Sequence, residues 1–87
     1  MFDSYSSQTF KAFNEDELKS ILNGFDSGEF GTVLRAKGVV LAQNGWLHFD
    51  YTPNEISIRS GSADISGKIC VIGTNIDKNK IKELFGN

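Results

Sequence analysis

The Asn44-Gly45 dipeptide, set between two stretches of alternating apolar and polar residues, constrains this chain more than any other feature. Asn-Gly tolerates the positive φ angles of a two-residue type I′ turn, whose twist matches that of paired strands. Thr32 to Ala42 then forms one arm of a hairpin, and Trp46 onward forms the other. With Asn44 and Gly45 as the loop, Leu47 faces Ala42, Phe49 faces Val40 and Tyr51 faces Gly38. Strand side chains alternate between faces. Leu34, Ala36, Gly38, Val40, Leu47, Phe49 and Tyr51 therefore share one apolar face, with Tyr51 covering the bare backbone of Gly38. Pro53-Asn54 supplies the next turn. Glu55 to Ser60 continues the alternation and adds Ile56 and Ile58 to the same face.

An apolar sheet face needs a cover, and the flanking segments supply two helices. Asn14 precedes Glu15-Asp16-Glu17, so its side chain can cap the first exposed amides while Glu17 reaches back to close a capping box. Phe13 and Leu18 have the spacing of a hydrophobic staple, and the three carboxylates meet the positive end of the helix dipole. Leu18, Ile21, Leu22 and Phe25 make one apolar stripe, and Gly24 is the expected stop. Near the other end Asp77 is the expected cap, with Ile76 and Ile81 as staple, Ile81, Leu84 and Phe85 as the buried stripe, and Gly86 as terminator. Residues 2–7 and the apolar run Lys68 to Gly73 add strands, and the small residues of 60–67 form a loop. The order β-α-β-β-β-β-α predicts an α+β fold. It is a two-layer sandwich: a mainly antiparallel sheet of four to five strands with two helices on one face. Its 87 residues allow one domain spanning 1–87. With 39% hydrophobic residues the chain has enough apolar material for a packed core, which argues against disorder.

Composition excludes more than it assigns. The formal net charge is −2, so bulk charge advertises neither nucleic acid nor a membrane surface as partner. There is no apolar run long enough to span a bilayer. The opening MFDSYSSQTFK lacks the cationic-then-apolar order of a signal peptide. The lone Cys70 cannot form an internal disulfide, which points to a reducing, cytoplasmic setting. One His and one Cys, with no C-x-x-C or H-x-x-x-H spacing, leave no structural metal site to expect.

The face opposite the apolar one is the candidate functional surface. Alternation puts Val33, Arg35, Lys37, Val39 and Leu41 there, joined by Trp46, His48 and Asp50 and by Ser57 and Arg59. Branched aliphatics and a tryptophan among cations suit an interface between domains or partners. The plain alternative is a half-exposed sheet in which Asp50 balances Lys37 and Arg59. Arg35, Lys37, Trp46, His48 and Arg59 are the expected partner- or anion-binding residues, with no catalytic residue among them. Lys78, Lys80 and Lys82 read as a solvated helix face.

Other chemistries fail on spacing. Gly61 to Gly67-Lys68 approaches a phosphate loop, but five residues intervene instead of four, Ile69 stands where a hydroxyl is needed, and a strand follows. No G-x-S-x-G elbow occurs, and His48 and Asp50 are merely alternate residues of one strand. Arg35, Lys37, Trp46 and Arg59 could imitate an RNA-binding sheet. However, at Lys37-Gly38-Val39-Val40 the aromatic positions of that signature are aliphatic.

The segment Val33-Leu34-Arg35-Ala36-Lys37-Gly38-Val39-Val40 resembles the R-A-K-G strand of the CobW C-terminal domain. Phe2-Asp3-Ser4-Tyr5-Ser6, the Asn14–Gly24 helix, Trp46-Leu47-His48-Phe49 and Cys70-Val71-Ile72-Gly73 followed by Asn75-Ile76-Asp77 are similar to its other elements, so the likeness covers essentially the whole chain. Only Arg35, Lys37 and Gly38 match the motif residue by residue. Complete members carry an amino-terminal GTPase domain with a phosphate loop and a cysteine-rich metal motif, and are linked to cobalamin biosynthesis, metal insertion and zinc homeostasis. The resemblance therefore implies a non-catalytic accessory domain, an excised part of a larger GTPase with Met1 as an added start. Its implied partners are the GTPase domain of the same parent or a metalloprotein client. GTP with magnesium, and a transition metal, are implied only for the parent, and no cofactor is implied for this chain. The alternatives left by the residues alone are a module for a small anionic ligand, such as a nucleotide or corrinoid precursor, or for single-stranded RNA.

Overall fold

The computed structural model describes residues 2–86; Met1, expected to be an added start, lies outside the described residues. The elements are β1 (Asp3–Thr9), α1 (Glu15–Gly24), a 3-10 turn (Phe25–Ser27), β2 (Thr32–Ala42), β3 (Gly45–Thr52), β4 (Glu55–Ser60), β5 (Gly67–Thr74) and α2 (Lys78–Leu84). The five strands form one antiparallel sheet in the order β1-β5-β2-β3-β4. The fold class is α+β, as the element order predicts.

Both helices begin where their caps require. The Asn14 side chain accepts from Glu17 N–H at 2.7 Å, and Glu17 returns the bond by accepting from Asn14 N–H at 3.2 Å. Asp77 accepts from Lys80 N–H at 3.1 Å to start α2. The first helix does not stop at Gly24, which keeps right-handed helical angles at φ −61°. The chain tightens into the 3-10 turn and ends at Gly28, where φ reaches +81°. Phe25 is the reason: the extra turn carries its ring into the core, edge-on to Phe30 and Tyr51 at 5.6 and 5.4 Å.

The hairpin also departs from expectation. Gln43 and Asn44 form the loop, and Gly45 is the first residue of β3, at φ +149°. Leu47 consequently faces Val40, Phe49 faces Gly38 and Tyr51 faces Ala36. Phe49 therefore covers Gly38 in place of Tyr51. A Cβ on Gly38 would lie 2.9 Å from the Phe49 ring and 2.3 Å from the Lys68 carbonyl oxygen, so only glycine fits. The displaced bend moves each partner by two positions, which preserves the faces.

One assignment of faces is reversed. The β2–β5 ladder pairs Val33 with Gly73 and then Arg35 with Ile72, so Leu34 is an extra residue. This bulge turns Val33 into the core at 3% exposure and leaves Leu34 outside at 36%. From Ala36 onward the expected alternation holds. Leu18, Leu22, Phe25, Ile81 and Phe85 pack on Ala36, Val40, Phe49, Tyr51, Ile69 and Val71, and this layer is the core.

Candidate functional site

Both helices lie on the apolar side, so the other sheet face is left open. The strand register aligns its side chains in two rows across the sheet. One row runs Ser6, Cys70, Lys37, Asp50, Ser57, and the next runs Gln8, Lys68, Val39, His48, Arg59. A concave trough of about 610 Å³ follows these rows, with side chains from all five strands at its wall. Sheet twist supplies the concavity.

The charges are arranged unevenly. Asp50 is shared by two arginines, 3.1 Å from Arg59 and 3.7 Å from Arg35. Lys68 meets Asp64 at 3.2 Å. Lys37 enters none of the ion pairs found among the described residues. The expectation that Asp50 balances Lys37 is thus corrected: Lys37 faces Asp50 in register, but the carboxylate turns to the arginines, whose planar forks present more donors. Four cations, Arg35, Lys37, Arg59 and Lys68, thus stand against two carboxylates, Asp50 and Asp64, a positive surplus on a chain that is net negative.

The connection from β4 to β5 crosses one end of this face. Gly61 donates its N–H to the Trp46 carbonyl at 3.2 Å, and the His48 Nε2 lies 2.8 Å from the Ser62 carbonyl oxygen. A Cβ on Gly61 would strike the His48 ring at 2.3 Å. Asp64 follows, with its carboxyl held below the usual range. Its bond from Ile65 N–H is the largest cause, and the bond from Lys68 and the charges of Lys68 and His48 add to it. Val39 is 8% exposed although it points away from the helices.

The structure brings Lys37, His48 and Arg59 together at the trough. Arg35 stands just beyond it, against Asp50 and near the exposed Leu34 and Ile72. Trp46 is half-buried and lines a separate cleft of about 340 Å³ at the hairpin end. Sequence reasoning missed Lys68, Cys70, Ser6 and Gln8 as neighbours of Lys37. The alternation of Lys68-Ile69-Cys70-Val71 signals which side Lys68 and Cys70 take, but nothing local places β5 beside β2.

Among the described residues no three His, Cys, Asp or Glu side chains come together. Gly61–Gly67 is a connection into a strand and not into a helix, so no helix N-terminus faces a phosphate there. No described helix is long and apolar enough to cross a membrane.

These features define a small α+β domain whose helix-free face is concave and cationic. The chain belongs to the CobW C-terminal domain family: the model of the "cobalamin synthesis protein cobW C-terminal domain" matches residues 2–87. The Zn(II)-bound YjiA GTPase from E. coli shares the fold, with a TM-score of 0.78 at 16% identity over 97% of this chain and 28% of that one. A Zn(II)-bound triple mutant of that GTPase gives a TM-score of 0.76 with the same identity and coverage. The chain thus spans little more than a quarter of the solved GTPases that it resembles. No curated protein sequence matches it.

Proposed function

We propose that this chain is a non-catalytic accessory domain of a CobW-type GTP-binding protein acting in cobalamin biosynthesis or metal insertion. It docks on the GTPase domain of that protein, or on a metalloprotein client, through the helix-free sheet face. The observation that carries the reading is the mixed character of that face: Leu34 and Ile72 are exposed beside Arg35, and the cationic trough adjoins them. Exposed aliphatics next to a cationic trough are what a partner surface offers. Leu34 and Ile72 supply area to desolvate, Arg35 and Lys37 steer and orient the partner, and His48 and Arg59 shape the trough. Trp46 adds an apolar contact at the hairpin end. GTP, magnesium and any transition metal belong to the partner domain in this reading. The free Cys70 suits a reducing, cytoplasmic setting.

The test is calorimetric titration of the chain with a CobW-type GTPase domain from the same organism. Saturable binding is expected, with at least about a tenfold loss when Arg35→Glu and Ile72→Ser are combined, since truncated anchors cost on the order of 1–2 kcal/mol each. Binding that the double variant leaves unchanged would move the docking surface elsewhere on the molecule.

A further inference from the structure

The trough has a length, a charge and a wall chemistry that together narrow what enters it. It crosses five strands, and four inter-strand steps of about 4.8 Å make it about 19 Å long. An extended peptide advances about 3.3 Å per residue, so about six residues fill it. Its cations are spread out. Lys68 and Lys37 lie on adjacent strands in neighbouring rows, and Arg59 lies at the far strand. A compact phosphate wants convergent donors, usually backbone N–H groups, and open strands aim none into this face. A nucleic-acid strand wants aromatic platforms for its bases. Of the two rings at the trough wall, Phe49 is 1% exposed and faces the core, and His48 is held against Gly61 and the Ser62 carbonyl. What remains is a chain with carboxylates at intervals. One wall residue already holds such a group: the Asp64 carboxylate, from the β4–β5 connection, lies on Lys68 at 3.2 Å.

We infer that the trough binds an extended acidic segment of a protein partner, with Lys37 and Lys68 as its carboxylate contacts and Asp64 as an internal stand-in that the segment displaces. The inference rests on the docking reading and adds the chemistry of the partner. Lys37 is the seat left open in the free protein, and Lys68 becomes available when Asp64 swings out with the exposed Ile65, which is 93% accessible.

The experiment uses the 87-residue chain and a fluorescent, acetylated hexaglutamate peptide, followed by anisotropy at low salt. Saturable binding that weakens with added salt is expected. Lys37→Gln and Lys68→Gln each weaken it about threefold or more, and Lys82→Gln on α2 leaves it unchanged. Asp64→Asn tightens it by about twofold, because it removes the competing carboxylate; a purely structural role for Asp64 would give loss instead. Circular dichroism confirms that each variant is folded. Absence of binding, equal losses from Lys82→Gln, or tighter binding of a hexanucleotide than of the peptide would each overturn the inference. Light scattering that shows the Lys37 and Lys68 changes dissolving a dimer would assign the trough to a second copy and overturn it as well. Loss of GTPase-domain docking in the Arg35/Ile72 variant, with no peptide binding, would sink this inference and leave the docking reading standing.

Discussion

At the scale of single residues, Tyr51 shows how one polar atom fixes three segments. Its ring is buried against Phe25, and its hydroxyl donates to Asp26 Oδ1 at 2.6 Å. The same oxygen accepts from Asn54 N–H at 3.1 Å, so the 3-10 turn, the end of β3 and the β3–β4 turn are held by one carboxylate. The Tyr51 bond above all, and then the Asn54 N–H, hold the Asp26 carboxyl below its ordinary 3.8. Burial, and then the bond to Asp26 and its charge, push the Tyr51 hydroxyl well above its ordinary 10.0. The signs follow from linkage. The lowered Asp26 stabilises the fold fully above pH 3.8, and that contribution is lost as pH falls through its folded value. The raised Tyr51 stabilises fully below pH 10.0, and that contribution is lost as pH rises through its own folded value. Tyr51→Phe should therefore lower the thermal midpoint by a few degrees near neutrality, with the gap to the parent narrowing in acid below pH 3.8. Melting curves at neutral and acid pH check both parts. A gap that widens in acid would mean that the hydroxyl works through some other partner.

At the scale of elements, the bulge in β2 decides which aliphatic side chain is core and which is surface. Val33, at 3% exposure, should cost about 2 kcal/mol when truncated to Ala, from lost transfer energy and the cavity left behind. Leu34→Ser should change stability by no more than about 0.5 kcal/mol, since Leu34 stands outside the ladder. Urea denaturation of the two variants tests the bulge, and the reverse ranking would mean a regular strand. The same comparison shows what is legible in a sequence. The Asn14 capping box and the Asp77 cap were readable because their chemistry is complete within four residues. The alternation of β3 and β4 was readable because the period of two is local. The hairpin register was not, because glycine is as useful at the first position of β3 as inside the loop. The bulge was not, because its cause is the pairing of Val33 and Arg35 with successive residues of β5. The trough was half legible: His48, Lys37 and Arg59 follow from the hairpin and its extension. Their neighbours Lys68 and Cys70 depend on β5 entering between β1 and β2, which no local signal announces.

At the scale of the whole molecule, that strand order makes the two ends of the chain depend on each other. β1 is an edge strand, paired only with β5 within the sheet, and α2 follows β5 directly. One buried contact ties these ends: Thr9 Oγ1 donates to the Phe85 carbonyl at 2.7 Å and accepts from Lys11 N–H at 3.2 Å. Phe85 is also the C-cap of α2, and its ring stacks on Phe49 and meets Phe13 edge-on, so its carbonyl position sets how the last helix sits on the core. Thr9→Val keeps the shape of the side chain but leaves the buried carbonyl without its donor, which should cost about 1–3 kcal/mol. Thr9→Ser keeps the hydroxyl and gives up one methyl group, about 0.8 kcal/mol of burial, so it should recover most of the loss. Chemical denaturation ranks the two variants. Hydrogen exchange locates the effect, which should appear as faster exchange in α2 as well as in β1 for Thr9→Val. Destabilisation by Ser with none by Val would show that methyl packing against Gly67 joins the ends, and not the bond to Phe85.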